Sequence, residues 1–287
     1  AGCGQPFCLE VHYTAPHSPW DRVCHPARVW DMYGGCDFSA TPDLPPHPWQ
    51  APSAPRPGYN GTREELLRGY YTAITAMDEN VGRLLDALEA KGLSEDTLVV
   101  FTSDNGMNLG QHGVWGKGNG TFPMNMYDSS VQVPAIFSWP GTIPQGRVIS
   151  SAHSHYDLIH TFAELAGISW ESEIPLPGKS FARTLRAGAD AGDGHAVVCD
   201  EYGHVRMLRE DGFKLVLRPP YGPHELYNLK DDPGETANLY DDPALLRIRE
   251  DMTDLLTKWF YRYVDPALDG AREGVTGAGQ LRRAGIY

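Results

Sequence analysis

The run from Thr62 to Gly106 constrains this chain more than any other. Leu67, Tyr70, Ile74, Met77, Val81, Leu84, Leu85 and Leu88 recur mostly at three- and four-residue steps, which predicts one long amphipathic helix over residues 62–91. Thr62 with Glu65 forms a capping-box pattern, and Gly92 after Lys91 supplies the stop. Thr97 to Phe101 (TLVVF) follows as a short run of strand formers without alternation, the pattern of a fully buried parallel strand. Val131 to Phe137 predicts another strand, and His155 to Ala166, closed by Gly167, a second helix. Strand and helix thus alternate as in a doubly wound α/β sheet.

The flanks differ from this centre. Pro6 to Tyr13 has the composition of a buried strand, and it empties into Ala15-Pro16-His17-Ser18-Pro19-Trp20. Between there and Asn60 the prolines at 42, 45, 46, 48, 52, 55 and 57 forbid regular structure, which predicts a long irregular excursion of functional interest. Beyond Pro175 short strand candidates at 196–199, 204–208, 213–217 and 225–229, separated by turn residues that include Glu210-Asp211-Gly212, predict a small antiparallel sheet. Residues 243–263 predict a closing helix, and the glycine-rich stretch from Asp269 a loose tail. The expected division is residues 1–175 and residues 176–287.

Bulk properties exclude some classes. A formal charge of −13 leaves no basic stripe for a nucleic acid. No segment is apolar for long enough to span a membrane, and the first residues show no signal peptide. The start at Ala1 gives the expectation that the chain begins inside a longer protein. Cys3, Cys8, Cys24, Cys36 and Cys199 are scattered, with no C-x-x-C pair to suggest zinc.

Candidate chemistry lies where strands end. Asp104 and Asn105 follow the predicted strand, and a carboxylate beside an amide oxygen suits Ca²⁺ or Mg²⁺. A plain Asp-Asn-Gly turn accounts for the same residues. Lys117, between Gly116 and Gly118, offers a compact cation that backbone lets an oxyanion approach, or else a solvated loop lysine. His17, between prolines, is a candidate acid or oxyanion donor, or a loop histidine packed on Trp20. His112, His153, His155 and Asp157 are weaker, with Asp157 equally explained as a helix cap. Asp78, on the apolar stripe, predicts a buried hydrogen-bonded position. Asn60-Gly61-Thr62 is a glycosylation sequon if the protein is secreted.

The order APHSPW, TAITAMDENVGRLLDALEAKGL, TLVVFTSDNG, HGVWGKG, VPAIFSWPG and SHYDLIHTFAELAGI resembles the sulfatase family, and RMLREDGFKLVLRPPYGPHELYNLKDDPGETANLYDDP resembles its C-terminal subdomain. The resemblance runs from about residue 6 to residue 260. It implies an alkaline-phosphatase-like α/β fold, a mixed sheet flanked by helices, with a small antiparallel-sheet subdomain at the C-terminus. It implies hydrolysis of a sulfate ester, a carbohydrate or aryl sulfate, and favours a periplasmic or secreted location. Asp104 and Asn105 would be calcium ligands, Lys117 would bind a sulfate oxygen and the leaving oxygen, and His17 would donate to the sulfate or protonate the leaving alcohol.

The family's remaining parts do not match. Its first strand ends in an Asp pair, and a C-x-P-S-R motif bears the cysteine that becomes formylglycine, the nucleophile; neither precedes His17. Cys24-His25-Pro26-Ala27-Arg28 fits a looser pattern but follows His17, and reads as part of the proline-rich loop. Three readings follow: a sulfatase lacking its N-terminal part here, a non-catalytic remnant of one, or a phosphonate or phosphate ester hydrolase of the same superfamily. Arg218-Pro219-Pro220-Tyr221 and the loop after His17 are candidate specificity elements.

Overall fold

The computed structural model describes residues 5–51, 55–189, 194–200, 204–220, 222–266 and 269–271. Cys3, Pro52, Tyr221 and the tail beyond residue 271 lie outside them, so the loose-tail expectation falls largely outside the described residues.

Helix α2 (Arg63–Ala90) forms as its sequence dictates, after a short helix α1 (Ala27–Met32) inside the proline-rich region. Thr62 accepts from the Glu65 amide, and the Glu65 carboxylate accepts from the Thr62 amide at 2.8 Å, which caps two of the four orphan donors. At the other end Gly92 turns left-handed (φ 65°), with its amide on Glu89 O and that of Leu93 on Leu88 O. The buried residues are confined to the first three turns: Leu66, Leu67, Gly69, Thr72 and Ala73. Leu84 and Leu85 are exposed, so the far half of the apolar stripe is uncovered. Asp78 is exposed too, which corrects the expectation of a buried network there.

Two strand expectations are corrected. Strand β1 (Val99–Thr102) pairs antiparallel with β4 (Ala135–Ser138) as a two-stranded sheet, and both are half to fully exposed rather than buried in a parallel sheet. Among the described residues no strand lies on either outer edge of that pair. Residues 6–13 form no strand. Phe7, Leu9, Val11 and Tyr13 alternate as a strand's apolar face would, yet all are exposed and none of the described residues pairs with them. The apolar side of β1–β4 is covered only where α4 (Leu158–Leu165) and α5 (Ala182–Ala187) pack on it, through Leu165, Phe181 and Leu185 against Leu98, Phe137 and Trp139.

The C-terminal sheet is better satisfied. Strands β5 (Ala196–Cys199), β6 (Arg206–Glu210), β7 (Phe213–Leu217) and β8 (Glu225–Asn228) make one antiparallel sheet in sequence order. Asp211 and Gly212 both take positive φ between β6 and β7, the two-residue turn whose twist matches the strands. The sheet has two apolar faces. On one, Leu208, Leu215 and Leu226 pack on Met252, Leu256 and Phe260 of α6 (Leu246–Tyr263). On the other, Met207 and Val216 pack on Met126.

Strand β7 therefore alternates: Phe213, Leu215 and Leu217 face α6, while Lys214, Val216 and Arg218 face the segment 124–128. Lys214 is fully buried. Its Nζ donates to Met126 O at 2.9 Å, pairs with Glu235 at 2.6 Å, and pairs with Asp128. Arg218 is 2% exposed, donates from Nε and Nη2 to Met124 O at 3.1 and 3.0 Å, and pairs with Glu225 at 3.0 Å. Burial raises the Glu235 carboxyl against the opposing pull of Lys214. Deleting one member of such a group strands a buried charge, so Lys214→Met is expected to lower unfolding stability by about 3–5 kcal/mol in a denaturant titration. A loss under about 1 kcal/mol, the range of surface pairs, would show the cluster to be dispensable.

His112 stacks on Tyr127 at 3.7 Å between centroids. Burial, with His47 and Lys214 nearby, pushes its pKa down from 6.5 to about 4. On acidification the unfolded chain takes up this proton first, so the stability contribution is complete above pH 6.5 and falls between pH 6.5 and 4. His112→Asn, which tolerates the positive φ and does not titrate, should flatten that acid limb of a stability–pH curve. An unchanged slope would exclude His112 as its source. The exposed Phe7, Leu9, Ile136 and Leu84 carry a further expectation for the isolated chain. Light scattering should show self-association; a monodisperse sample with a sharp melt would contradict it.

Candidate functional site

Four segments far apart in sequence are gathered by one hydrophobic cluster. Trp20, Phe38, Leu66, Leu67, Leu109 and Trp115 form its buried centre, with Met107 and Tyr70 against them. Trp20 ends the His17 loop, Met107 and Leu109 follow Asp104-Asn105, and Trp115 precedes Lys117 by two residues. All three sequence-selected motifs are therefore anchored to the same core.

Each anchor has a local cause. Helix α2 passes so close to the His17 loop that a Cβ on Gly69 would lie 2.1 Å from Trp20 O. The Trp20 indole N–H donates to Pro16 O at 2.9 Å, and the His17 amide to Thr14 O at 2.9 Å, fixing the loop from within. His17 itself is exposed, and its Nδ1 lies 2.8 Å from Ser18 O. A carbonyl only accepts, so Nδ1 carries the proton and Nε2 holds the lone pair in the neutral ring. No ring contact joins His17 to Trp20; the Trp20 ring meets Tyr70 edge-on instead.

Asp104 is exposed, with Ser103 Oγ 3.3 Å from its carboxylate. The Asn105 amide nitrogen donates to Gly106 O at 2.9 Å, which leaves Oδ1 to accept. At Gly106 a Cβ would sit 2.2 Å from Ser129 O, and the Gly106 amide donates to Ser130 O at 2.9 Å. Lys117, half-buried, follows the two-residue ladder of β2 (Asn108–Leu109) with β3 (Trp115–Gly116).

Ser130 joins the two motifs. Asn108 Nδ2 donates to Ser130 Oγ at 2.6 Å and to Gly116 O at 2.9 Å, and Ser130 Oγ donates to Asn125 Oδ1 at 2.6 Å. Asn125 Nδ2 in turn lies 3.2 Å from Lys117 O and 3.1 Å from Gly118 O. One buried polar network thus holds the Asp104-Asn105-Gly106 turn and the Lys117 loop.

The proline-rich excursion grips the same loop from the other side. Gln50 Oε1 accepts from the Trp115 amide at 2.7 Å, while its Nε2 donates to Trp115 O at 2.9 Å and Gly120 O at 3.0 Å. A Cβ on Gly113 would lie 1.9 Å from Pro45 O, so only glycine lets the two loops meet.

Other candidates resolve as structural. Asp157 completes a capping box with Ser154 and accepts from the Lys179 amide at 2.8 Å. His153 stacks on Phe181, and His155 is an exposed member of the turn before α4. Arg28 of the C-H-P-A-R stretch is committed to Glu79, and Cys24 is an exposed thiol beside it. Sequence reasoning missed Asn108, Asn125, Ser130 and Gln50. Polar residues inside otherwise apolar or proline-rich runs were their only signal.

As metal ligands, Asp104 and Asn105 offer two hard oxygens of the about six to eight that calcium takes. Among the described residues no group of three or more His, Cys, Asp or Glu side chains converges. The pair fits part of an oxygen shell, not a whole one. Among the described residues, no helix is long and apolar enough to cross a membrane.

A family model described as Sulfatase matches residues 2–168, and one described as N-sulphoglucosamine sulphohydrolase, C-terminal, matches residues 110–261. The chain is 30% identical to a choline-sulfatase of Rhizobium meliloti, over 83% of this chain and 47% of that protein. It is 28% identical to an N-acetylglucosamine-6-O-sulfatase of Bacteroides thetaiotaomicron, over 70% of this chain and 37% of that protein. Among solved structures, a sulfatase from Bacteroides fragilis superposes with a TM-score of 0.73 at 27% identity, covering 92% of this chain and 56% of the other. The chain spans about half the length of the curated relatives it matches. The fold is that of the alkaline-phosphatase-like enzymes, and the chain belongs to the sulfatase family.

Proposed function

We propose that this chain supplies the anion-binding and leaving-group side of a sulfate-ester hydrolase site. The observation that carries the reading is the fixing of the backbone of the Lys117 loop, by Gln50 at Trp115 and Gly120 and by Asn125 at the Lys117 carbonyl, in a network shared with the Asp104-Asn105-Gly106 turn. Transfer of a sulfuryl group spreads negative charge over its oxygens and leaves an alkoxide that needs a proton. A cation held in place before the reaction stabilises that charge without reorganising. The Lys117 ammonium would fill this role, carried on a half-buried residue whose backbone is fixed.

His17 is the proton donor in this reading. With Nδ1 anchored on Ser18 O, an imidazolium would present Nε2–H to the leaving oxygen. Asp104 and Asn105 would hold a divalent cation, calcium in the family, which lowers the charge on the sulfate oxygens. The sequence contains no C-x-P-S-R motif, so no nucleophilic step is derived from it.

The relatives' names, choline-sulfatase and N-acetylglucosamine-6-O-sulfatase, support a small or saccharide sulfate ester as substrate. A periplasmic or secreted setting goes with that substrate class. A phosphonate monoester hydrolase of Agrobacterium radiobacter shares the fold at 24% identity with a TM-score of 0.57, which makes a phosphonate ester the second reading.

The test is hydrolysis of an aryl sulfate by the intact protein with calcium present, beside the matched phosphonate ester. Lys117→Ala is expected to lower kcat/KM by about 10²–10³, the effect of removing one preorganised charge-stabilising donor. Chelation should lower it as well. Turnover unaffected by Lys117→Ala would remove Lys117 from the site, and faster turnover of the phosphonate would favour the second reading. The isolated chain is expected to be inactive, as a remnant would be.

A further inference from the structure

Lys117 is held at its backbone carbonyl by one side chain, Asn125, and the residues on either side of Asn125 are held by the C-terminal sheet. Asn125 is 1% exposed. Its Nδ2 contacts Lys117 O, Gly118 O and Thr121 Oγ1, its amide donates to Gly118 O at 3.1 Å, and its Oδ1 accepts from Ser130 Oγ. The residues on either side are seized by the C-terminal sheet. Arg218 takes Met124 O with two donors, and Lys214 takes Met126 O. A three-residue stretch thus has its outer carbonyls fixed by two buried cations and its middle side chain fixed on the loop that bears Lys117.

We propose that Asn125 is the positioning residue for Lys117, and that Arg218 and Lys214 act through it, so that the C-terminal sheet sets the conformation of the anion-binding loop. The positioning claim concerns loop geometry; its link to catalysis rests on the reading of Lys117 given above. The chemistry favours Asn over its neighbours in kind. Two carbonyl oxygens and a hydroxyl oxygen converge on Nδ2, and a serine hydroxyl donates to Oδ1, so the site needs a side chain with a donor end and an acceptor end. Aspartate keeps the shape and the acceptor but turns the donor end into a second acceptor facing two carbonyls. Arg218 likewise satisfies Met124 O, Pro223 O and Glu225 at once, a fork that a lysine ammonium cannot reproduce.

The test compares wild type, Asn125→Asp and Arg218→Lys in the intact protein by amide hydrogen exchange, with inorganic sulfate as the probe of the loop. Exchange at residues 116–120 is expected to rise about tenfold or more in Asn125→Asp, with strands β5–β8 unchanged, since local opening is read separately from global unfolding. Arg218→Lys should move the same amides in the same direction by less. In both variants sulfate affinity should fall, and KM for an aryl sulfate should rise more than kcat falls. Unchanged exchange at 116–120 in Asn125→Asp would overturn the proposal. So would equal loosening of 116–120 and β5–β8, which marks a merely structural asparagine. Lys117→Met separates the two claims: if it leaves sulfate binding intact, the Lys117 reading fails, while the exchange pattern still decides the positioning role.

Discussion

A fully buried ammonium must be surrounded by oxygen, and at Lys214 the oxygens come from two halves of the chain. Asp128 and Met126 belong to the segment after the Lys117 loop, and Glu235 to the turn after β8. Coulomb attraction at this depth is strong, yet so is the cost of removing three charges from water. Such a cluster specifies one relative placement more than it adds stability. Any other docking of the sheet against residues 124–128 would leave a charge without a partner. Arg218, just past the end of β7, repeats the arrangement two steps along the same face, and the apolar contact of Val216 with Met126 lies between them.

From that junction the organisation runs outward to the site in short links. Residues 124–128 carry Asn125 and lead into Ser130, which touches Asn108, while the Ser130 carbonyl takes the Gly106 amide. Each link is a direct hydrogen bond, and Asn108, Asn125 and Ser130 are buried while Gly106 is half-buried. The hydrophobic cluster around Trp20, Leu109 and Trp115 brings the His17 loop onto the same platform. Two kinds of force therefore divide the work. Apolar burial collects the segments, and directed polar bonds set the loop geometry to the precision an oxyanion requires.

Much of this was legible in the residues. Thr62, Glu65 and Gly92 announced both ends of α2, and Asp211-Gly212 announced the β6–β7 hairpin, because caps and tight turns depend on local chemistry alone. The six ordered blocks from APHSPW to SHYDLIHTFAELAGI, which include the Asp104-Asn105, Lys117 and His17 motifs, were enough for the family. What could not be read was anything requiring a distant partner. TLVVF looked like a fully buried strand because composition shows what a segment could bury, not what covers it, and Val99–Thr102 is half exposed. Residues 6–13 show the same gap, as does the uncovered end of the α2 stripe. Asn125 and Gln50 escaped because a buried amide among prolines and methionines has no periodic signature. Lys214 was hidden by β7 itself, where a strand with two buried faces gives no clean alternation, and Arg218, read as the start of a specificity element, is instead buried and paired with Glu225.

The two-residue turn at Asp211-Gly212 has a consequence for how this region tolerates insertions and deletions. Side chains on a strand alternate with a period of two, so the length of that turn sets which face receives each residue of β7. One added residue would send Lys214 and Arg218 toward Met252, Leu256 and Phe260, and would turn Leu215 toward Asp128 and Glu235. The shortest loop of the C-terminal sheet is thus a phase lock for a site it never touches. Length variation in this family should be absent there and concentrated in connections such as the one between β7 and β8.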